Sequence, residues 1–400
     1  MIDFVHAASF EKIRRERKSM PSQVVVIAAV VHLGSSSKRK ASRRAAFTPL
    51  PHRPLIPPLF DPTAFVCRSG LKAARRGNLS DAPLPLNHSI SGFNSNPVFG
   101  MIFSVRICVI FNPAARGNKA RRFRHHLDAL SGQAAFKATT APGDARRLAA
   151  EAVADGFELI AAAGGDGTVN EVLNGLGDAP DGFTRTRLGV LPLGTVNVFA
   201  RELKIPLNLT GAWGVLQRGH EARLALPRVD FSLNGAPQRK YFVQLAGAGF
   251  DARAIELMDW PLKQKIGPLA YVLAGLKALR ETKPAVTVRA NGKVESGELV
   301  LAGNGRFYGG PFAVFPPADL CDGHLELCIF PRVRWTVFLR CLPDLLLRRR
   351  LPATVAKRMR AEKFELSSQT AAAFELDGEW AGHLPAAFSI EPGRLRVAVP

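Results

Sequence analysis

An apolar segment that runs directly into a glycine-rich loop constrains the fold of this chain more than any other feature. Residues 159–163 read Leu-Ile-Ala-Ala-Ala, and Gly-Gly-Asp-Gly-Thr follows at 164–168. A short apolar run that ends at glycines is typical of a strand buried on both faces, as in a parallel sheet. A helix is predicted at 169–176, and its N-terminus together with the glycine backbone would favour an anion. Asp166 is a costly residue among phosphates unless it handles a metal ion or a proton.

Two further predicted strands end in similar residues. Asn112 follows a strand at 105–111, and Thr195 follows a strand at 188–191. One glycine loop alone would be interpreted as a tight turn. The carboxyl ends of parallel strands, however, meet at one edge of a sheet, which is where ligands bind in open α/β folds. Three such loops therefore predict a nucleotide site, and it is neither a P-loop nor a Rossmann fingerprint because both motifs are absent from the sequence.

The spacing of the apolar runs predicts two domains. From residue 101 to 228, strands alternate with helices, including an amphipathic helix at 144–154, which indicates a doubly wound parallel sheet. From 229 to 388 the strand-like runs are closer together, which predicts a mostly antiparallel domain, and a strand at 388–399 is expected to return to the first domain. The predicted strands after residue 228 are 229–233, 241–246, 285–290, 297–303, 325–330, 363–367 and 373–376. Further helices are predicted at 121–130, 262–281 and 335–347.

The first hundred residues differ from the rest. They hold 15 basic and 5 acidic residues, a net charge of +10, and ten prolines, with no sustained period of 2 or 3.6. We expect either a disordered basic extension or a true start at Met101, with the preceding segment an over-extended reading frame. A basic surface suits nucleic acid, anionic lipid or phosphorylated ligands, and charge alone does not choose among them.

The cysteines and the apolar runs bear on the compartment. The five cysteines form no C-x-x-C pair and no zinc-finger spacing, so we expect neither disulfides nor zinc, and a reducing cytoplasm. The longest apolar run near the start, residues 24–31, is far shorter than the ~20 residues that a membrane span requires.

Taken together, these motifs resemble the diacylglycerol kinase catalytic family, which includes bacterial lipid kinases and sphingosine kinases. The resemblance extends over about residues 103–398 and includes Asp-Gly-Glu at 377–379. It implies a Rossmann-like, NAD kinase/phosphofructokinase-like α/β domain followed by a β-sandwich domain that takes the lipid. It also implies ATP and Mg²⁺ as cofactors and phosphorylation of a lipid hydroxyl, on diacylglycerol or a sphingosine-like lipid, by a cytoplasmic protein peripheral at the inner membrane face.

The resemblance assigns ATP contacts to the three loops and to one threonine. These residues are Asn112, Pro113, Arg116, Thr139, Gly164, Gly165, Asp166, Gly167, Thr168, Val169, Asn170 and Thr195. In the Asp-Gly-Glu segment, Glu379 matches the proton acceptor of the family and Asp377 lies beside it, with Asp166 as the third catalytic acid.

A magnesium site is also implied by the resemblance. The side chain of Asp322 and main-chain carbonyls near Asp319 and His324 match a turn that holds Mg²⁺, an ion that prefers oxygen ligands. Asp230 matches an acid that joins Asp166 in a metal–water network.

Two positions depart from the family pattern. Val198 stands where many members carry aspartate, which removes one carboxylate from the surroundings of Asp166. Arg116 stands where glycine is common, and it could supply a phosphate contact.

Three other functions fit parts of the sequence. An NAD kinase-like enzyme also uses a Gly-Gly-Asp-Gly loop, and a degenerate member would bind lipid or nucleotide without catalysis. A nucleic-acid-binding protein rests only on the basic first hundred residues, so no specific nucleic acid is expected as a partner. The mixture of apolar and basic residues at 335–350 has two alternative interpretations. It fits a segment in contact with an anionic membrane surface, and it fits a core helix with a solvated arginine end. The sequence names neither the lipid nor the oligomeric state, for which a dimer is considered.

Overall fold

The computed structural model describes residues 105–113, 132–218, 220–258 and 269–400 of the 400-residue chain. The predictions for residues 1–100, for a helix at 121–130 and for Arg116 lie outside these ranges. Within them, no helix is both long enough and apolar enough to cross a membrane.

The first part of the chain forms the expected alternation of strands and helices. Its strands are β1 (Ile107–Phe111), β2 (Ala135–Ala138), β3 (Leu159–Gly164) and β4 (Arg187–Pro192), and its helices are α1 (Asp144–Ala154), α2 (Asp166–Asp178), α3 (Gly182–Arg185), α4 (Val198–Glu202) and α5 (Leu209–Arg218). The four strands are parallel and lie in the order β2-β1-β3-β4. The order reverses between β1 and β3, and a doubly wound sheet binds its ligand at such a reversal.

The second part is dominated by strands. These are β5 (Glu221–Leu233), β6 (Ala236–Tyr241), β7 (Leu245–Gly249), β8 (Val286–Ala290), β9 (Lys293–Gly297), β10 (Leu299–Gly303), β11 (Phe307–Tyr308), β12 (Phe312–Ala313), β13 (Leu325–Phe330), β14 (Lys357–Ala361), β15 (Lys363–Ser368), β16 (Ala373–Leu376), β17 (Glu379–His383) and β18 (Ala386–Ala398), with helices α6 (Phe250–Glu256), α7 (Leu269–Arg280) and α8 (Trp335–Arg348).

Two large sheets contain most of these strands. β1 to β4 continue through β18, β15, β8 and β9, with β5 and β6 attached at β18, to make a ten-stranded sheet. A six-stranded antiparallel sheet has the order β14-β13-β10-β7-β16-β17. β18 pairs parallel with β4, where Val397 lies beside Leu188, and antiparallel with β5 and β15. The predicted return of the last strand to the first sheet is therefore confirmed.

A cluster of aromatic rings fills the space between the six-stranded sheet and the strands β5, β8, β15 and β18. Phe388 stacks on Phe364 with ring centroids 4.7 Å apart and meets Phe374 edge-on at 6.2 Å. Phe242 meets the same ring at 6.3 Å, and all four side chains are buried. The β-sandwich thus has an apolar core of its own, distinct from the core that packs α1 and α2 on the parallel strands.

Two predicted strands are wrong in detail. The run at 241–246 is broken, because β6 ends at Tyr241 and β7 begins at Leu245, and the backbone N–H groups of residues 243–245 donate to a carboxylate instead of a strand. The run at 297–303 is two strands in different sheets. The chain crosses between the sheets at Glu298, and a Cβ on Gly297 would lie 2.5 Å from the carbonyl oxygen of Phe330.

The predicted fold class is confirmed. The chain has a doubly wound parallel sheet followed by an antiparallel β-sandwich, and α1 occupies the predicted residues. The division into domains at residue 228 stays a prediction, since β5 crosses that position.

The prediction about the cysteines is wrong at one position. Cys108, Cys328 and Cys341 are free, as expected, and they are buried, whereas Cys321 is disulfide-bonded.

Replacing Phe388 with alanine should destabilise the protein by about 3–5 kcal/mol, because the side chain is fully buried and its removal leaves a cavity between the sheets. The measurement is the free energy of unfolding from urea titration followed by circular dichroism. Val294→Ala, at a side chain that is 60% exposed, is the control and should cost less than about 0.5 kcal/mol. Equal losses in the two variants would contradict the described core.

Candidate active site

The carboxyl ends of β1, β3 and β4 meet at one edge of the parallel sheet. The backbone N–H of Asn112 donates to the carbonyl of Ala163 at 3.1 Å, which joins the first loop to the second. The carbonyl of Gly164 accepts from the N–H groups of Leu193 at 2.9 Å and Gly194 at 3.1 Å, which joins the second loop to the third. The structure therefore brings the three predicted loops together at the β1/β3 reversal.

The glycines in these loops allow a close approach that side chains would prevent. A Cβ on Gly194 would lie 2.5 Å from Cα of Gly165, and a Cβ on Gly164 would fall on the side chain of Thr168. The Oγ1 of Thr168 in turn accepts a hydrogen bond from Nδ2 of Asn112 at 3.3 Å. Residues of the three loops therefore lie in direct contact with one another.

Helix α2 begins at Asp166, three residues before the predicted start. Asp166, Gly167 and Thr168 consequently form its first turn, whose free N–H groups and dipole favour an anion. Val169 is buried in the core beneath the helix, so only its backbone can face a nucleotide. The predicted phosphate contacts at 166–168 thus lie on the first turn of a helix, where an anion is favoured.

The predicted threonines take different places. Thr139 is buried beside the end of β1, where its N–H donates to the carbonyl of Phe111 at 2.9 Å. Thr195 is exposed in the third loop, and Pro113 is half-buried in the first. All three lie at the same edge of the sheet as the glycine loop.

The carboxylate of Asp166 faces the start of α4. Its Oδ1 accepts from the backbone N–H of Phe199 at 3.3 Å. Burial raises the pKa of Asp166, and hydrogen bonds from the backbone of Val198 and Phe199 act against that shift. Position 198, where many family members carry aspartate, therefore supplies Asp166 with a main-chain hydrogen bond in place of a second carboxylate.

Asp377 is held by four hydrogen bonds. Its two oxygens accept from Nδ2 of Asn170 at 2.8 Å and from the backbone N–H groups of residues 243, 244 and 245 at 2.9, 2.9 and 3.1 Å. Burial raises the pKa of Asp377, and these hydrogen bonds lower it. The carboxylate connects α2 to the loop between β6 and β7, which suits a positioning residue better than the predicted catalytic acid.

Glu379 lies against the first turn of α2. A Cβ built on Gly167 would clash with Oε1 of Glu379, so the carboxylate lies directly against that glycine. Glu379 is exposed at the start of β17. The structure thus brings the predicted proton acceptor to the edge of the predicted phosphate cradle, across more than 200 residues of sequence.

The predicted magnesium ligands have other partners. Asp322 forms an ion pair with Arg360 and accepts from the N–H of His324 at 3.0 Å. Asp319 accepts from the N–H of Cys321 at 3.1 Å. An arginine at the carboxylate competes with a cation, so the side chain of Asp322 is engaged as it stands. The predicted magnesium turn relies on this one side chain and on main-chain carbonyls, and it stays a prediction.

Asp230 is likewise engaged elsewhere. Nε of Arg239 donates to its Oδ1 at 2.6 Å, and Nε of Arg228 lies 3.5 Å from Oδ2. Both oxygens face guanidinium groups on the surface of β5 and β6, so the predicted place of Asp230 in a metal–water network is not supported.

The comparisons with known proteins agree with this geometry. Residues 106–229 match the family model of the diacylglycerol kinase catalytic domain, and residues 244–399 match that of the YegS C-terminal NAD kinase beta sandwich-like domain. A diacylglycerol kinase of Staphylococcus aureus (strain bovine RF122 / ET3-1) is 30% identical over 292 residues, which cover 71% of this chain and 89% of that protein. The chain belongs to the diacylglycerol kinase family.

Further relatives extend the comparison. A diacylglycerol kinase of Staphylococcus aureus (strain JH9) is 32% identical over 256 residues, covering 63% of this chain and 77% of that protein. The crystal structure of a diacylglycerol kinase from Bacillus anthracis str. Sterne matches with a TM-score of 0.55 at 21% identity, over 74% of this chain and 97% of that one. At this identity the structural match shows the fold, and membership of the family supports a lipid kinase.

Sequence reasoning missed two residues that the structure places at the site of this diacylglycerol kinase family member. Asn174 of α2 donates to the carbonyl of Tyr241 at 3.0 Å and accepts from its N–H at 2.9 Å, which docks the helix on β6. The sequence did contain a sign of this role, because Asn174 lies four residues after Asn170 and therefore on the same buried face of the helix. Burial lowers the pKa of Lys240 on β6, and the nearby negative charge of Glu379 partly opposes that shift. Nothing in the sequence indicated Lys240.

Replacing Asp322 with asparagine should leave the Mg²⁺ concentration for half-maximal activity within about twofold, because the carboxylate is paired with Arg360. The measurement is phosphoryl transfer to dioctanoylglycerol across a Mg²⁺ titration. Arg360→Gln, which frees the same carboxylate, is the matched control. A tenfold rise in the Mg²⁺ requirement in the asparagine variant would restore Asp322 as a ligand.

Proposed function

We propose that this chain transfers the γ-phosphoryl group of ATP to a hydroxyl group of a membrane lipid, diacylglycerol or a sphingosine-like lipid. One observation carries the proposal, which is the contact between Glu379 and Gly167 in the first turn of α2. It places a carboxylate beside the backbone groups that favour phosphate. A base next to a phosphate cradle is what phosphoryl transfer to an alcohol requires.

The proposed reaction assigns a role to each part of the site. The N-terminus of α2 and the loops ending at Asn112 and Thr195 hold the nucleotide phosphates. Glu379 accepts the proton of the lipid hydroxyl as its oxygen attacks the γ-phosphorus, and ADP leaves as the bond to the β-phosphate oxygen breaks. Asp377 fixes the distance between Glu379 and α2 through its bond to Asn170.

Dependence on Mg²⁺ is part of the proposal only through the nucleotide. The carboxylate of Asp322 is paired with Arg360, so we derive no step through a metal ion held by the protein. In the proposed enzyme Mg²⁺ accompanies ATP, whose phosphate oxygens suit it.

Glu379→Gln should lower kcat by at least about a hundredfold and leave the KM for ATP within about threefold, because the amide cannot accept the proton while the cradle is intact. The full chain is assayed with γ-labelled ATP against dioctanoylglycerol, sphingosine and NAD. Glu365→Gln, an exposed carboxylate of β15, is the control and should retain activity.

The acceptor panel separates the rival functions. Transfer to NAD alone would sink the lipid proposal in favour of an NAD kinase-like enzyme. ATP binding without transfer to any acceptor would indicate a degenerate member.

We further propose that α8 contacts an anionic membrane, which would bring the cleft to its lipid. Trp335, Leu339 and Leu347 are 41%, 53% and 84% exposed and recur at multiples of four residues on the helix. Basic residues flank them, namely Arg332, Arg340, Arg349 and Arg350, all exposed. The other side of the helix is packed, since Cys341 and Leu345 are buried. An apolar stripe bordered by arginines suits the surface of an anionic bilayer.

The double variant Leu339→Asn/Leu347→Asn should bind anionic vesicles at least about tenfold more weakly, since two exposed apolar side chains leave the bilayer. Co-sedimentation with phosphatidylglycerol-containing vesicles measures this, and phosphatidylcholine vesicles show the contribution of the arginines. Val294→Asn, an exposed apolar residue on β9, is the control. Unchanged partitioning of the double variant would remove α8 as the contact.

A further inference from the structure

A buried carboxyl pair lies behind the turn that carries Glu379. Glu375 of β16 is 1% exposed, and its Oε2 accepts from the backbone N–H of Gly378 at 2.6 Å. Its other oxygen, Oε1, has no hydrogen-bond partner among the described residues. A buried polar atom without a partner is costly, so this oxygen calls for an explanation.

A second carboxyl group, that of Asp251 on α6, lies beside the same glycine as this oxygen. Oε1 of Glu375 and Oδ2 of Asp251 lie 2.6 and 3.2 Å from the position that a Cβ on Gly247 would take. The two oxygens therefore converge over the bare Cα of a glycine in β7, the strand paired with β16 at that residue. Two neighbouring buried carboxylates disfavour each other's ionised form, whereas a proton retained on one of them removes that repulsion and provides a hydrogen-bond donor.

Neither group has a positively charged partner among the residues that the structure describes. Asp251 accepts from the hydroxyl of Tyr308 at 2.7 Å on its remaining oxygen. The other titratable groups that face Glu375 are Asp377 and Glu379 of its own turn, both acidic. Within the described ranges, no lysine, arginine or histidine bonds to Glu375 or Asp251. Burial and the nearby charge of Asp251 raise the pKa of Glu375, in agreement with a retained proton.

We propose that Glu375 and Asp251 share one proton and together act as positioning residues for Glu379. The hydrogen bond from Gly378 fixes the turn between β16 and β17, and Glu379 follows at once. The proposed pair thus connects the β11–β12 hairpin, through the hydroxyl of Tyr308, to Gly378, the residue before Glu379. The kinetic part of this inference rests on the proposed function, but the shared proton does not.

The shared proton predicts a specific pH dependence of stability. The unfolded chain loses the Glu375 proton near its ordinary pKa, whereas the folded protein keeps it to a higher pH. Folding therefore becomes less favourable as pH rises between these two values. The amide introduced by Glu375→Gln has no proton to lose in this range and retains both hydrogen-bonding positions. The melting temperature of this variant should gain on the wild type by at least about 3 °C between pH 5 and pH 8.

The decisive measurement is thermal unfolding of the full chain and of Glu375→Gln at several pH values, which needs no activity. Glu365→Gln, the exposed carboxylate variant, should show a constant difference from the wild type. A constant difference in Glu375→Gln as well would overturn the shared proton.

The positioning role is tested by kinetics with ATP and dioctanoylglycerol. Glu375→Ala should lose at least about tenfold in kcat with little change in the KM for ATP, and Glu375→Gln should recover most of that loss, because its amide oxygen can accept from Gly378. Gly247→Ala, which inserts a methyl between the carboxyls, should lower kcat similarly, and Gly132→Ala, where nothing lies within 4 Å, should not. Equal kcat in Glu375→Ala and the wild type would refute the positioning role. A wild type without transfer would instead refute the proposed function and leave the thermal result standing.

Discussion

The carboxylate of Asp377 accepts hydrogen bonds from Asn170 on α2 and from three successive N–H groups between β6 and β7. These partners belong to the parallel-sheet part and to the sandwich part of the chain, and Asn170 is 207 residues from Asp377 in sequence. Buried hydrogen bonds to a charged group are strong, and the loss of one partner leaves a costly buried charge. This one carboxylate therefore holds α2 against the turn that carries Glu379.

A second buried carboxylate extends the same connection to the third loop. Glu202 ends α4 and accepts from Nε of Arg306 at 2.7 Å, from the N–H of Phe307 at 3.1 Å and from Nε2 of Gln244 at 3.2 Å. The backbone of Gln244 donates to Asp377, so a single residue touches both acids. The apolar clusters stabilise the separate layers, whereas these polar contacts align the loops with one another across the cleft. Hydrogen bonds are directional and fix the position of one loop relative to another more closely than apolar contacts do.

Local chemistry was sufficient to predict the strands that end in the three loops, because apolar runs and strand-end glycines have direct structural causes. α1 was placed correctly because its buried residues recur at helical spacing. The run at 241–246 could not be interpreted locally, since its N–H groups bond to an aspartate more than 130 residues later. Asp230 shows the same limit, because its partner Arg239 is a cross-strand neighbour whose register the sequence does not reveal. Resemblance supplied roles for single residues, and only three-dimensional contacts showed which carboxylates already have partners.

β18 has a consequence for how the chain is made. The strand lies between β4 and β15, with Val397 paired to Leu188. During synthesis β4 leaves the ribosome long before the strand that will cover it, so the parallel sheet keeps an open edge until β18 emerges. An open edge offers unpaired N–H and C=O groups to any passing strand. A chain interrupted before β18 would therefore keep this open edge and be prone to aggregate, so the parallel sheet depends for its completion on a strand almost two hundred residues further along the chain.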